Sequence, residues 1–136
     1  MPDRLRVSSG TPWEAKVGYS RAIRVGNTVW TAGTTASDAS GQVVGKGDAY
    51  AQMRYILDKI QGALAQAGAT MADVVRVEIF VTDISRWQEI GRAHAEVFGA
   101  IRPVNFMVEV ARLVDPDHLV EVAVTAVIDD DASPSR

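Results

Sequence analysis

Val108-Glu-Val-Ala-Arg-Leu113 and Leu119-Val-Glu-Val-Ala-Val-Thr-Ala-Val-Ile128, separated by Val114-Asp-Pro-Asp-His118, decide how this chain folds. Both runs are rich in β-branched residues and the segment between them carries turn chemistry, which predicts a β-hairpin. In the second run Val120, Val122, Val124, Ala126 and Ile128 share one face, because side chains alternate along a strand. Leu119, Glu121, Ala123, Thr125 and Val127 share the other. Both faces are mostly apolar, so the strand is expected to be covered on both sides. Glu121 is then a carboxylate among apolar neighbours. Desolvation disfavours the charged form of such a group, which suits it to general acid or base work. Pairing with an arginine, or a place at a solvent rim, is the structural alternative.

Working outward, Val74 to Val81 alternates as a strand, with Val75, Val77, Ile79 and Val81 on one face. Before it, Asp48 predicts the N-cap of a helix that runs to Ala67 and is closed by Gly68. Met53, Ile56, Leu57, Ile60 and Leu64 give that helix one apolar stripe. After the strand, Ser85-Arg-Trp-Gln88 reads as a capping box opening a second helix, with Trp87, Ile90, Val97 and Phe98 buried and Gly99 at its end. Nearer the N-terminus, Arg21 to Val25 and Thr28 to Ala32 form a hairpin around Gly26-Asn27. Met1 to Val7 holds a short edge strand. Ser8 to Gly18 and Gly33 to Gly47 read as loops, the latter with an extended piece at Gln42 to Val44.

The order hairpin, helix, strand, helix, hairpin predicts an α+β fold: one mixed sheet with two helices packed on one face. Two helices cover one face only, so the apolar second face predicts self-association. The 136 residues suit one domain, placed at 1–128, with an acidic, then Ser/Pro-rich tail at 129–136. Net charge is −3 with no basic run, which disfavours a nucleic-acid partner. The chain contains no cysteine, hence neither a disulfide framework nor a thiol nucleophile. Its two histidines, His94 and His118, fit no zinc spacing, and no metal is expected. His118 is expected to face solvent in its turn. With no signal-like or membrane-length apolar run, a cytoplasmic protein with no membrane partner is the default.

Pro103-Val-Asn-Phe-Met-Val-Glu-Val-Ala-Arg-Leu113, followed by Val120-Glu-Val, resembles the C-terminal signature of the RidA/YjgF family of enamine/imine deaminases. The resemblance runs from about Val17 to Ile128. It implies a chorismate-mutase-like homotrimer with small-molecule clefts at subunit junctions, working without a cofactor. It places the family's water-handling glutamate on Glu121 and its cleft tyrosine on Tyr19. It also puts a pocket-lining strand end on Ala32-Gly33. If the protein is an enzyme, backbone N–H groups near Gly33 and Met107 are expected to polarise the reacting group, as an oxyanion hole does. The expected cleft joins Glu121 and Asn105, with Tyr19 from a neighbouring subunit.

Four positions depart from the deaminase pattern. Asn105 stands where the family carries an arginine that grips the substrate carboxylate bidentately. An asparagine offers a donor and an acceptor but no charge, unless it serves only local backbone hydrogen bonds. Ala32 replaces a serine, Gly91 an asparagine and His94 a tyrosine. A glycine within a helix costs about 1 kcal/mol, so Gly91 suggests close packing or ligand approach. The missing arginine makes ordinary 2-imino acids poor expected substrates. Binding, and hydrolysis, of a small imine, enamine or related metabolite is the leading reading. A non-catalytic small-molecule-binding trimer is the alternative, and an endoribonuclease or translation inhibitor ranks last.

Overall fold

The computed structural model describes residues 3–129, so the segment 130–136 of the expected tail lies outside the described residues. The strands are β1 (Arg4–Val7), β2 (Ala22–Val25), β3 (Thr28–Thr31), β4 (Thr34–Thr35), β5 (Val74–Val81), β6 (Val104–Glu109) and β7 (Val120–Val127). The helices are α1 (Pro12–Val17), α2 (Ala49–Gln66) and α3 (Trp87–Phe98). One mixed sheet runs β1-β2-β3-β7-β5-β6, with β4 extending β3 along β7. Only β5 and β6 are parallel, joined by the α3 crossover.

Alternation sets the layers. Val120, Val122, Val124 and Ala126 of β7 are buried in one core with Val77, Ile79 and Val81 of β5. Met53, Ile56, Leu57, Ile60 and Leu64 of α2 and Ile90, Ala93 and Phe98 of α3 complete that core. Each fully buried Leu, Ile or Met contributes about 1.5–3 kcal/mol, so the α2 stripe is what fastens the helix to the sheet. Asp48 caps α2 as expected, accepting Ala51 N–H at 2.9 Å. Among the described residues neither α2 nor α3 covers the opposite sheet face. Trp30, Val104, Val108 and Val127 are exposed there, and Phe80 meets Phe106 edge-on at 5.7 Å.

The structure corrects six local expectations. The closing segments are not a hairpin: β6 pairs with β5, and β5 lies between β6 and β7. Strand β6 therefore starts earlier, at Val104, and ends at Glu109, leaving the following residues to cross to β7. Gln52 of α2 fixes the end of that crossing. Fully buried, it donates to Asp117 O at 2.9 Å and to Gly45 O at 3.2 Å, and accepts Leu119 N–H at 2.8 Å.

The supposed loop before Gly18 contains α1, opened by Pro12 and closed by Gly18 in the left-handed region at φ 92°. Asp83, not Ser85, caps the turn before α3, and Trp87 is 53% exposed rather than buried. A bulge between Val74 and Arg76 turns Val75 outward, 45% exposed, while Val74 is buried. His118 is buried at 6% exposure, not solvent-facing.

Candidate functional site

The site begins where β3 gives way to β4. Thr31 Oγ1 accepts Val124 N–H at 2.9 Å, standing in for a backbone carbonyl in the ladder. Pairing with β7 resumes at Thr34 opposite Val122 and Thr35 opposite Glu121. The irregular step between them brings Gly33 onto the Glu121 side chain: a β-carbon at position 33 would lie 3.0 Å from Glu121 Cδ and overlap its carboxylate. Glycine lets the carboxylate approach this closely; a β-carbon would push the flexible end of Glu121 aside, with no unusual backbone angle involved.

Around this contact opens a cavity of about 530 Å³, lined among others by Tyr19, Arg21, Gly33, Lys59, His118 and Glu121. Arg21 braces one wall. Its Nη1 donates to Gly33 O at 2.8 Å and Thr34 Oγ1 at 3.2 Å, and its Nη2 donates to Tyr19 Oη at 3.2 Å. Its Nε reaches Glu14 Oε2 at 3.4 Å. Glu14, 5% exposed, is itself fully engaged: Ser8 Oγ donates at 2.9 Å, with Ser9 N–H, Ser9 O–H and Thr11 O–H converging on the same carboxylate. Burial pushes the Glu14 carboxyl up, but the Ser9 and Ser8 bonds and the Arg21 charge bring it below its ordinary value. The α1 turn thus exists to hold Glu14, which holds Arg21, which holds Tyr19 and the Gly33 carbonyl.

Lys59 enters from α2, its Nζ donating to Thr35 O and Ser37 O, both at 2.8 Å. Burial, then the Arg21 charge, draw its pKa below the ordinary lysine value. His118 Nε2 lies 2.8 Å from Ser37 Oγ. Burial lowers the His118 pKa, against the pull of Asp115, Glu121 and Asp117.

The expected site residues fall into two groups. Tyr19, Gly33 and Glu121 line one cavity within a single protomer. Ala32 adjoins them, lining a shallower hollow behind Tyr19. Asn105, Met107 and Gly91 lie elsewhere. Asn105 pairs with Val77 and Met107 with Ile79, which puts both on the helix-bearing face, whereas Glu121 pairs with Phe80 and faces the open side. Within one protomer Asn105 and Glu121 are therefore on opposite faces of the sheet. Asn105 Nδ2 is 3.3 Å from Nε2 of His94, which packs against Phe98 and whose pKa burial lowers. Gly91 lies one helical turn before His94, and a β-carbon there would meet nothing nearer than Trp87 Cε3 at 4.0 Å. Close packing does not require glycine at that position.

The neighbourhood of Glu121 is also more polar than its strand suggests, because Arg21, Lys59, Ser37 and His118 reach the cavity from other elements. None of the four belongs to a motif with recognisable spacing. The Pro12-to-Gly18 pattern was the one sequence signal for the α1 brace.

This fold, a mixed sheet backed by helices, is shared with known proteins. Residues 10–128 match the family model described as Endoribonuclease L-PSP. The crystal structure of Rv2704 from Mycobacterium tuberculosis, a member of the YjgF/YER057c/UK114 family, superposes with a TM-score of 0.85 at 52% identity, covering 93% of this chain and 100% of that one. A 3-aminoacrylate deaminase, RutC, of Acinetobacter baylyi is 36% identical over 93% of this chain and 98% of its own length. An uncharacterized protein of Streptomyces coelicolor is 36% identical over 89% of this chain and 90% of its own. The chain belongs to this Endoribonuclease L-PSP family, the RidA/YjgF family of the sequence resemblance. Among the described residues no helix is long and apolar enough to cross a membrane.

Proposed function

We propose that the protein binds a small imine or enamine in the Tyr19–Gly33–Glu121 cavity and hydrolyses it, releasing ammonia. The observation that carries this reading is the Glu121 carboxylate seated against Gly33 in a cavity of about 530 Å³. The similarity to a 3-aminoacrylate deaminase supports it. An enamine reacts as its imine tautomer. Glu121 takes a proton from water as the oxygen attacks the C=N carbon and passes it to the nitrogen, giving a neutral carbinolamine. Glu121 then takes the carbinolamine hydroxyl proton and delivers it to the nitrogen as the C–N bond breaks, which releases ammonia and leaves a carbonyl. Tyr19, held by Arg21, closes one side of the substrate.

The cavity sits in a cleft between copies of a homotrimer. The exposed Trp30, Val104, Val108 and Val127 on the face that α2 and α3 leave uncovered supply the apolar surface for such an assembly. Asn105, Met107, Gly91 and His94, gathered at the β6 edge, are then available to a neighbouring copy's cavity. Light scattering at three times the 14.6 kDa chain mass supports the assembly, and a monomer at micromolar concentration removes it.

A non-catalytic ligand-binding trimer is the second reading, favoured by the uncharged Asn105 and by Ala32, which has no hydroxyl. The family description also names RNA cleavage, but a net charge of −3 suits a polyanion poorly. Ammonia release from 3-aminoacrylate and a panel of 2-imino acids decides between turnover and binding. Release well above the buffer rate supports hydrolysis, and its absence for every substrate leaves binding alone.

A further inference from the structure

Three residues of the cavity take no part in the chemistry above, and all converge on one point. Ser37 receives Lys59 Nζ on its carbonyl and meets His118 Nε2 with its hydroxyl, each at 2.8 Å. Lys59 spends two N–H bonds on the carbonyls of Thr35 and Ser37 and has a third to give. Among the described residues no carboxylate lies within ion-pair distance of it. The Tyr55 ring lies 5.8 Å from the ammonium, and Asp38 and Glu14 act on it only from beyond contact. A half-buried ammonium whose hydrogen-bond partners are neutral carbonyls is thus only partly compensated, and such groups are normally paired.

His118 has the complementary feature. It is 6% exposed, it lines the cavity, and its Nδ1 has no protein partner among the described residues. We assign the ring proton to Nδ1, because Nε2 is the acceptor available to the Ser37 hydroxyl. Nδ1–H is then a buried donor with nothing to donate to. The nearby acids do not answer it. Asp38 Oδ1 is taken by Ser40 N–H and O–H and by Gln42 N–H. Asp115 Oδ1 accepts Asp117 N–H, and Asp117 pairs with Lys46 at 3.3 Å.

We propose that Lys59 and His118, organised by Ser37, are the anion-accepting end of the cavity and hold the carboxylate of a small unsaturated amino acid whose nitrogen-bearing carbon lies at Glu121. The proposal rests on the imine/enamine reading and adds the anchor: the substrate carboxylate is held by Lys59 and His118 within the protomer that supplies Glu121. Two charge-assisted or buried donors replace the guanidinium that position 105 does not provide. Burial holds Lys59 and His118 below their ordinary pKa values, and a bound carboxylate would draw both upward.

The test uses stable probes, 3-hydroxypropionate and its uncharged amide 3-hydroxypropanamide, in NMR titrations of the full chain. The acid is expected to bind at least tenfold tighter than the amide, to shift the His118 ring signals, and to raise the pH at which His118 titrates in the presence of Asp115, Asp117, Glu121 and Lys59. These wild-type readouts need no variant to fold. Lys59→Met and His118→Gln should each weaken the acid at least tenfold and leave the amide unchanged. His118→Asn keeps a nitrogen near the Nδ1 position and should retain most of the binding, whereas a merely structural role at Ser37 would be rescued by Gln instead. Equal binding of acid and amide, or acid-induced shifts at His94 and Asn105 instead of His118, would overturn the proposal. Acid binding here without ammonia release removes the deaminase reading alone. Release from 3-aminoacrylate with KM unchanged in Lys59→Met and His118→Gln removes the anion site alone.

Discussion

Gly33 and Glu121 approach so closely that position 33 has no room for a β-carbon, which would sit 3.0 Å from the Glu121 carboxyl carbon. Gly33→Ala must therefore displace the carboxylate rather than strain the backbone. Activity is expected to fall by at least tenfold, with stability reduced by about 1–3 kcal/mol as an overpacked contact. In a Glu121→Ala background the same substitution should be nearly neutral in denaturant unfolding, because the clash is gone. An undiminished stability loss in that background would place the conflict elsewhere.

Arg21 joins Glu14, Tyr19 and the Gly33 carbonyl, so its loss should open the cavity wall. Arg21→Met also leaves the buried Glu14 carboxylate without its cation. Removing one partner of a buried pair costs about 3–5 kcal/mol in the limit, and the surviving Ser8, Ser9 and Thr11 bonds should hold the loss below that. Urea unfolding measures it. Restoring neutrality with Glu14→Gln in the Arg21→Met chain should recover part of the stability.

Gln52→Leu tests how the crossing into β7 is held. The substitution keeps an apolar volume in the core but strands Leu119 N–H and the Asp117 carbonyl, while the Gly45 carbonyl keeps Asp48 N–H at 2.8 Å. A loss of about 1–3 kcal/mol per unsatisfied group is expected where water cannot reach it. Amide exchange at Leu119 should rise well before global unfolding.

Acid should weaken the fold in two stages. Burial lowers the pKa of His94 and His118 in the folded state from the ordinary 6.5, so the unfolded chain binds more protons below that pH. Their penalty is absent above about 6.5, grows as the pH falls from there towards the lowered values, and is complete below them. Glu14, held below 4.5, adds stability that is lost only further down. A His94→Gln, His118→Gln chain should show a flatter stability profile between pH 7 and 5, with the Glu14 stage unchanged. An unaltered slope in that window would assign the first stage to other groups.

The elements were legible where a pattern repeats. The period-two runs gave β5 and β7, the apolar stripe and Asp48 gave α2, and the C-terminal signature pointed to Glu121. Strand order was not legible, because a hairpin and a strand-skipping crossover share the same local turn chemistry between Glu109 and Val120. The distinction depends on β5 competing for the edge of β7. Tyr19 and Gly33 lie beside Glu121 within the protomer, while Asn105 lies across the sheet. Lys59, Ser37 and His118 were invisible because each is a single polar residue, and they meet only through the β4–β7 register that opposes Thr35 to Glu121.

Glu121 carries the account, and one comparison tests it most directly: kcat/KM for ammonia release from 3-aminoacrylate by the wild type and by Glu121→Gln. The substitution keeps size and hydrogen-bonding capacity but removes the proton acceptor, so the rate should fall by about 10²–10⁴ with the fold intact by circular dichroism. A Glu121→Gln protein as fast as the wild type would contradict the assignment of water activation to this residue.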